Sequence, residues 1–190
     1  MTTDRPPVPH DSTLDGQTML LHPLAPTDTE AMYIAAIESA EALRTTMPWW
    51  HEGLSLEEMQ NWTTLCQTLW DQSSHFEFSI LSKSSGDYLG SCALGPIHWP
   101  GMQANVSYWV RSSHIGQGIA SQAVRLVVQW AFHTLGLQRV EILVVVSNMP
   151  SQRVALKAGA TQEAILRNGL RWADQPYDAV LFSFIPKDFP

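Results

Sequence analysis

Apolar and polar residues alternate along His75 to Ser82 (HFEFSILS), the two-residue period of a half-buried strand. Ser84-Ser-Gly-Asp87 follows as a turn, and Tyr88 to Ile97 reads as the second arm of a hairpin. Earlier in the chain, Met19 to Pro23 predicts a short strand. Thr27-Asp-Thr-Glu30 is a capping-box pattern that opens a helix through Ala42, and Ser55 with Glu58 repeats it before a helix reaching about Trp70. Asn105 to Val110 predicts a further strand. From Ile119 to Leu135 the period becomes helical, with Ala120, Ala123, Val124, Val127, Val128 and Ala131 on one face and Gly136 as the stop. Arg139 to Val146 (RVEILVVV) is almost continuously apolar, as suits a strand buried on both faces. Ser151 to Ala158 predicts a short helix, and two strands follow near Ala164 to Arg167 and Tyr177 to Phe184. The resulting class is α/β (α+β), a mixed sheet flanked by helices.

Length and composition narrow this without changing it. The chain has 190 residues, enough for one core, and no second boundary is visible. The expected organisation is a loose arm over residues 1–16, rich in Pro, Asp, Ser and Thr, and one domain over 17–190. A formal charge of −7 disfavours nucleic acid and complements cationic substrates. Cys66 and Cys92 form no CxxC pair, so neither a metal site nor a disulfide is expected. No apolar run is long enough for a membrane span and the N-terminus lacks a signal-type apolar region, which makes the cytoplasm the simplest compartment.

The chemistry concentrates where Asn105 to Val110 ends and a loop carrying Gly116 and Gly118 leads straight into the long helix. Glycines let the backbone turn tightly and approach a ligand, and a helix start offers free N–H groups at the positive end of its dipole. Together these can cradle phosphate. The turn is neither a P-loop, since no GK[ST] follows, nor a GxGxxG fingerprint. Taken alone, it is equally an ordinary glycine turn before a helix.

The stretch Ile115-Gly116-Gln117-Gly118-Ile119-Ala120 resembles motif A of the GNAT acetyltransferases, [QR]xxGx[GA], with Ile115 departing from the usual Gln or Arg. The resemblance spans about residues 17 to 186 and is closest to the RimJ/RimL branch of ribosomal-protein N-acetyltransferases. Leu21-His-Pro-Leu24, Met47-Pro-Trp-Trp50, Leu137-Gln-Arg-Val-Glu141 with Asn148-Met-Pro-Ser151, and Ile165-Leu-Arg167 with Tyr177-Asp178 carry it further, in order and spacing. It implies a GNAT fold: a mixed, mostly antiparallel central sheet with a splayed parallel pair, Asn105 to Val110 and Arg139 to Val146. It also implies acetyl-CoA as cosubstrate, with no metal. Backbone groups near Trp109 and Val110 would hold the pantetheine, with an oxyanion donor near Val110, and the turn from Ile115 through Ser121 would hold the pyrophosphate.

The implied reaction is attack of a neutral amine on the thioester, which needs positioning, a base for the amine and a donor for the departing thiolate. Many GNAT enzymes use a tyrosine for the last task, at the position of Ala155 here; the RimJ/RimL branch has a serine in an NxxS motif. Asn148 and Ser151 match that motif, which places Asn148 on the CoA arm and Ser151 near sulfur. The usual base positions hold Asn105 and Asn168, leaving Glu77 as the first candidate, with Asp174, Glu141 and His98 as alternatives and a water relay needing none of them. Trp49 and Trp50 fall in the loop that borders the acceptor cleft in this fold. The implied partner is an amine acceptor, a protein N-terminus or a small molecule; a homodimer is left open, and no nucleic acid or membrane partner is expected. Two readings compete: an active N-acetyltransferase, favoured by Ser151 and the intact glycine turn, and a CoA-binding module that has lost transfer, towards which Ala155, Asn105, Asn168 and Ile115 point.

Overall fold

The computed structural model describes residues 8–172 and 174–189. Eight strands form one sheet: β1 (Leu14–Asp15), β2 (Met19–Pro23), β3 (Phe76–Ser82), β4 (Tyr88–His98), β5 (Gln103–Val110), β6 (Arg139–Val145), β7 (Thr161–Trp172) and β8 (Gln175–Phe184). Their order is β1-β2-β3-β4-β5-β6-β8-β7, and among the described residues only β5 and β6 run parallel. Five helices flank the sheet: α1 (Thr29–Glu38), α2 (Ala40–Arg44), α3 (Leu56–Asp71), α4 (Ile119–Leu135) and α5 (Met149–Ala158). No described helix is long and apolar enough to cross a membrane.

Alternation along the central strands divides the core in two. Phe76, Phe78 and Ile80 of β3 and Val106 of β5 face α4, whose Ala123, Val124, Val127, Val128 and Ala131 are fully buried. Trp70 and Trp130 close this side, their rings packed edge-on to Phe76 and Phe78. On the other face Met32, Ala35, Ala36, Leu43, Met59 and Cys66 of α1–α3 pack with Tyr88 and Trp109.

Two expectations are corrected here. The helix over 27–42 is broken: a short 3₁₀ turn precedes α1, and α1 ends at Ser39 before α2 begins. The Ser39 hydroxyl accepts from the Ser112 N–H (2.9 Å), tying the break to the loop before the glycine turn. The arm over 1–16 is not loose where it is described. Leu14 and Asp15 pair with β2, Val8 is buried, and its carbonyl accepts from the Trp70 indole N–H (2.9 Å). Residues 1–7 lie outside the described residues.

The Ser55–Glu58 capping box forms as its pattern requires, with Glu58 N–H donating to Ser55 Oγ (3.2 Å) and Ser55 N–H to Glu58 Oε2 (2.8 Å). The last hairpin is longer than the local signals at 164–167 and 177–184. Pairing between β7 and β8 carries it to Trp172 and Gln175.

Candidate active site

The parallel pair opens early. β5 and β6 are in register only at Gln103–Arg139, Ala104–Val140 and Asn105–Glu141, while β6 stays paired with β8 through Val145. Beyond Asn105 a gap separates the two strands, and a cavity of ≈ 570 Å³ fills it. Its walls include Val106, Ser107 and Tyr108 from β5, Ile142 to Val145 from β6, and Asn148 and Ser151 from α5.

Backbone parity decides which groups of β5 face the gap. The Arg111 N–H donates to the Leu89 carbonyl (2.8 Å). Bonded pairs alternate in an antiparallel ladder, so Trp109–Ser91 and Ser107–Ala93 are bonded pairs. Val106, Tyr108 and Val110 therefore turn their N–H and C=O away from β4, towards the opened side. The backbone of Val110 faces the gap. That of Trp109 is used by β4, which corrects its expected place on the pantetheine; its ring instead faces the opposite pocket described below.

The glycine turn lies between β5 and α4 and approaches α5 at Lys157. Gly116 and Gly118 have φ of +79° and +80°, the left-handed region that side chains disfavour. Gly118 is the N-cap of α4, and the first bond into the helix runs from Gln122 N–H to the Gly118 carbonyl (3.1 Å). The N–H groups of Ile119, Ala120 and Ser121 precede that bond and point out of the helix start. Gln117 is exposed and Ile115 is 64% exposed, while the Ser121 hydroxyl turns back to the Gly118 carbonyl (2.9 Å) rather than outward. A Cβ on Gly118 would lie 3.3 Å from Lys157 Nζ, so an α5 cation stands at the mouth of the turn. Its residue type alone gives Lys157 no signal; only the packing of α5 on α4 brings it there.

Asn148 caps α5, its Oδ1 accepting from the Ser151 N–H (3.1 Å). This starts the helix two residues before Ser151 and presents the Ser151 hydroxyl to the gap. Tyr108, which the sequence reading passed over, reaches it there: its phenol is 2.8 Å from Ser151 Oγ and 3.1 Å from the Ser151 carbonyl. Burial pushes the phenol up to about 12, against the pull of its bond to Ser151. Ala155 is fully buried, so the position at which the resemblance implies a tyrosine is here a packing position.

A second pocket of ≈ 300 Å³ lies on the α1–α3 face of β3–β5 and shares Met47, Ser107 and Tyr108 with the gap. Trp49, Trp62 and Trp109 supply aromatic walls, and the Trp49 and Trp109 ring centroids are 5.9 Å apart. Trp50 is separate. Its ring packs under α2 with the Arg44 guanidinium 5.6 Å above it, and it does not line this pocket.

Glu77 lines the pocket and is 6% exposed. One oxygen accepts from Ser91 Oγ (2.5 Å) and the other meets His75 Nε2 (3.0 Å). Glu77 pairs with Ala93 and Ala93 with Ser107, so two strand spacings, about 10 Å, separate the Glu77 Cα from the gap edge. The Glu77 carboxylate is held over the intervening β4 by Ser91 and lines this pocket rather than the gap, which does not bring it beside Ser151 as the expected base. The other candidates lie elsewhere. Glu141 is held by Arg139 (2.6 Å), Asp174 pairs with Arg171 on the surface (3.1 Å), and His98 is exposed at the far end of β4. Cys66, His75 and Glu77 bring ligand atoms within 4.8 Å of one another. Glu77 is already engaged by Ser91 and His75, and burial, aided by Glu77, pushes the Cys66 thiol up, away from the thiolate that binds metal.

Comparison with known proteins agrees with this architecture. Residues 18–161 match the family model described as an acetyltransferase (GNAT) domain. The chain is 31% identical to a probable N-acetyltransferase, YjcK, of Bacillus subtilis, over 88% of this chain and 96% of that protein. It is 24% identical to the ribosomal-protein-serine acetyltransferase of Escherichia coli, over 86% and 90%. The solved structure of Mycobacterium smegmatis RimJ in complex with a CoA disulfide superposes with a TM-score of 0.82 at 22% identity, covering 95% of this chain and 90% of that one. The opened parallel pair, the glycine turn before α4 and these matches together show that the chain belongs to the GNAT acetyltransferase family and is an acetyltransferase.

Proposed function

We propose that the protein moves the acetyl group of acetyl-CoA to a primary amine by direct attack inside the β5–β6 gap. The observation that carries this is the Ser151–Tyr108 hydroxyl pair set into the gap. The site fits the cosubstrate. The turn offers unpaired N–H groups and Lys157 for the phosphates, and β5 offers its free backbone edge for a pantetheine arm.

In the reaction the amine nitrogen bonds to the acetyl carbon, the carbon–sulfur bond breaks, and the electron pair leaves on sulfur. The Val110 N–H faces the carbonyl oxygen as charge develops there. Tyr108 holds the Ser151 hydroxyl, which donates towards sulfur. The buried Asn105 Oδ1, at the vertex of the gap, has no hydrogen-bond partner among the described residues and accepts from the amine N–H. An amide cannot take that proton, and no described carboxylate lines the gap, so water carries it away.

Calorimetric titration with acetyl-CoA, followed by thiol release with a panel of primary amines, tests the reading. Binding with amine-dependent thiol release is the expected result. Binding without release from any amine would leave a CoA-binding module, and absence of binding would overturn the site assignment.

A further inference from the structure

The pocket behind Ser107 is closed at its inner end by Glu77, and the proposed transfer does not use that end. Building on the acetyl-transfer reading, we propose that this end binds a second ammonium on the acceptor. It would be carried on an apolar body some 7–10 Å from the nitrogen that is acetylated, so the acceptor class is a compact diamine.

Five observations converge. The pocket and the gap meet at Met47, Ser107 and Tyr108, so one molecule can place its reacting nitrogen at the gap and its body in the pocket. The Ser107 and Glu77 backbones lie two strand spacings, about 10 Å, apart and the Glu77 carboxylate reaches back over β4 to Ser91, so a body shorter than that backbone span joins the gap to the carboxylate. Glu77 is buried, and its ion-pair partner among the described residues is the His75 imidazole (3.0 Å), with no Lys or Arg beside it; a ligand ammonium adds a permanent cation to a carboxylate that is costly to bury. Ser91 and His75 fix the Glu77 oxygens but fill only part of their roughly four acceptor sites. The walls complete the match, because Trp49, Trp62 and Trp109 offer π faces to a cation and apolar surface to its spacer.

A serine or alanine N-terminus fits less well. Its side chain would leave most of ≈ 300 Å³ unfilled and would not reach Glu77. This assigns Glu77 to acceptor recognition, not to proton removal.

The test compares 1,6-diaminohexane with n-hexylamine, and both with a peptide beginning in serine, using thiol release from acetyl-CoA and direct titration followed by tryptophan fluorescence. The expected result is a KM or Kd for the diamine at least tenfold below that of the monoamine. Glu77→Gln should remove this preference while leaving kcat, hexylamine use and acetyl-CoA affinity within about threefold. If Glu77→Gln does not fold, Trp62→Leu takes its place and should weaken the diamine several-fold more than the monoamine.

Equal affinity for the two amines would overturn the proposal. So would a preference for the peptide, or a Glu77→Gln variant that loses kcat equally on every acceptor. Each of those outcomes leaves acetyl transfer standing. Failure to bind acetyl-CoA would instead overturn the underlying reading, and the fluorescence titration would still decide whether the pocket takes the diamine.

Discussion

The Tyr108 phenol, on β5, lies 2.8 Å from the Ser151 hydroxyl, on the first turn of α5, across the gap between the parallel strands. A tyrosine therefore lines this gap although the α5 position at which the family resemblance implies one holds Ala155. In the proposed reaction the pair acts on one sulfur, so its members should not contribute independently. Ser151→Ala is expected to lower kcat by about 10²-fold, as loss of one donor to developing charge does. Tyr108→Phe should lower it by about tenfold, the value of one hydrogen bond. The double variant should be no worse than Ser151→Ala within a few-fold. Steady-state kinetics with acetyl-CoA titrations check this; multiplicative losses would separate the two residues.

The pH dependence of kcat follows from the buried phenol. Burial disfavours the charged phenolate, so the donating, protonated form persists above the ordinary value of about 10 and is lost only near about 12. No alkaline decline in kcat traceable to Tyr108 is expected below about pH 10. A decline centred near pH 8 in the parent that vanishes in Tyr108→Phe would contradict this placement of the phenol.

Gly118 and Gly116 share a positive φ but not a neighbourhood. A Cβ at Gly116 meets nothing within 4 Å, whereas one at Gly118 meets the Lys157 ammonium at 3.3 Å. Alanine at either position adds backbone strain of about 1–2 kcal/mol. Gly118→Val should also close the mouth of the turn and cost at least tenfold in acetyl-CoA affinity, beyond any loss of thermal stability. Calorimetry and melting curves on Gly116→Ala and Gly118→Val separate strain from obstruction.

Lys157 should contribute through charge alone. Lys157→Gln is predicted to weaken acetyl-CoA several-fold at low salt, with the difference shrinking as salt rises. Dephospho and full-length CoA can be compared in the same titration. A salt-independent loss would point to a packing role.

Trp49 and Trp50, adjacent in sequence, should behave differently. Trp49 walls the pocket proposed to take the acceptor, and Trp49→Ala is expected to raise acceptor KM about tenfold without changing acetyl-CoA affinity. Trp50 packs beneath Arg44, and Trp50→Ala should lower thermal stability, with a smaller effect on KM. Acceptor kinetics alongside melting temperatures distinguish the two.

The sequence by itself determined what depends on local periodicity and caps. Alternation over 75–82, the helical face over 119–135 and the Ser55–Glu58 box each describe contacts made within a few residues, and each forms with nearly the boundaries that its pattern predicts. Gly116 and Gly118 were legible for the same reason, since a left-handed turn before a helix calls for that residue type. Tertiary structure alone decided the rest. β1 exists because β2 offers a free edge, and α1 breaks from α2 where Ser39 receives the Ser112 N–H. Strand parity turned Trp109 away from the gap and brought Tyr108 to Ser151. Sheet order placed Glu77 in the aromatic pocket rather than in the gap, its carboxylate held over β4 by Ser91. Such placements depend on residues distant in the chain, and neither composition nor spacing records which strand lies beside which.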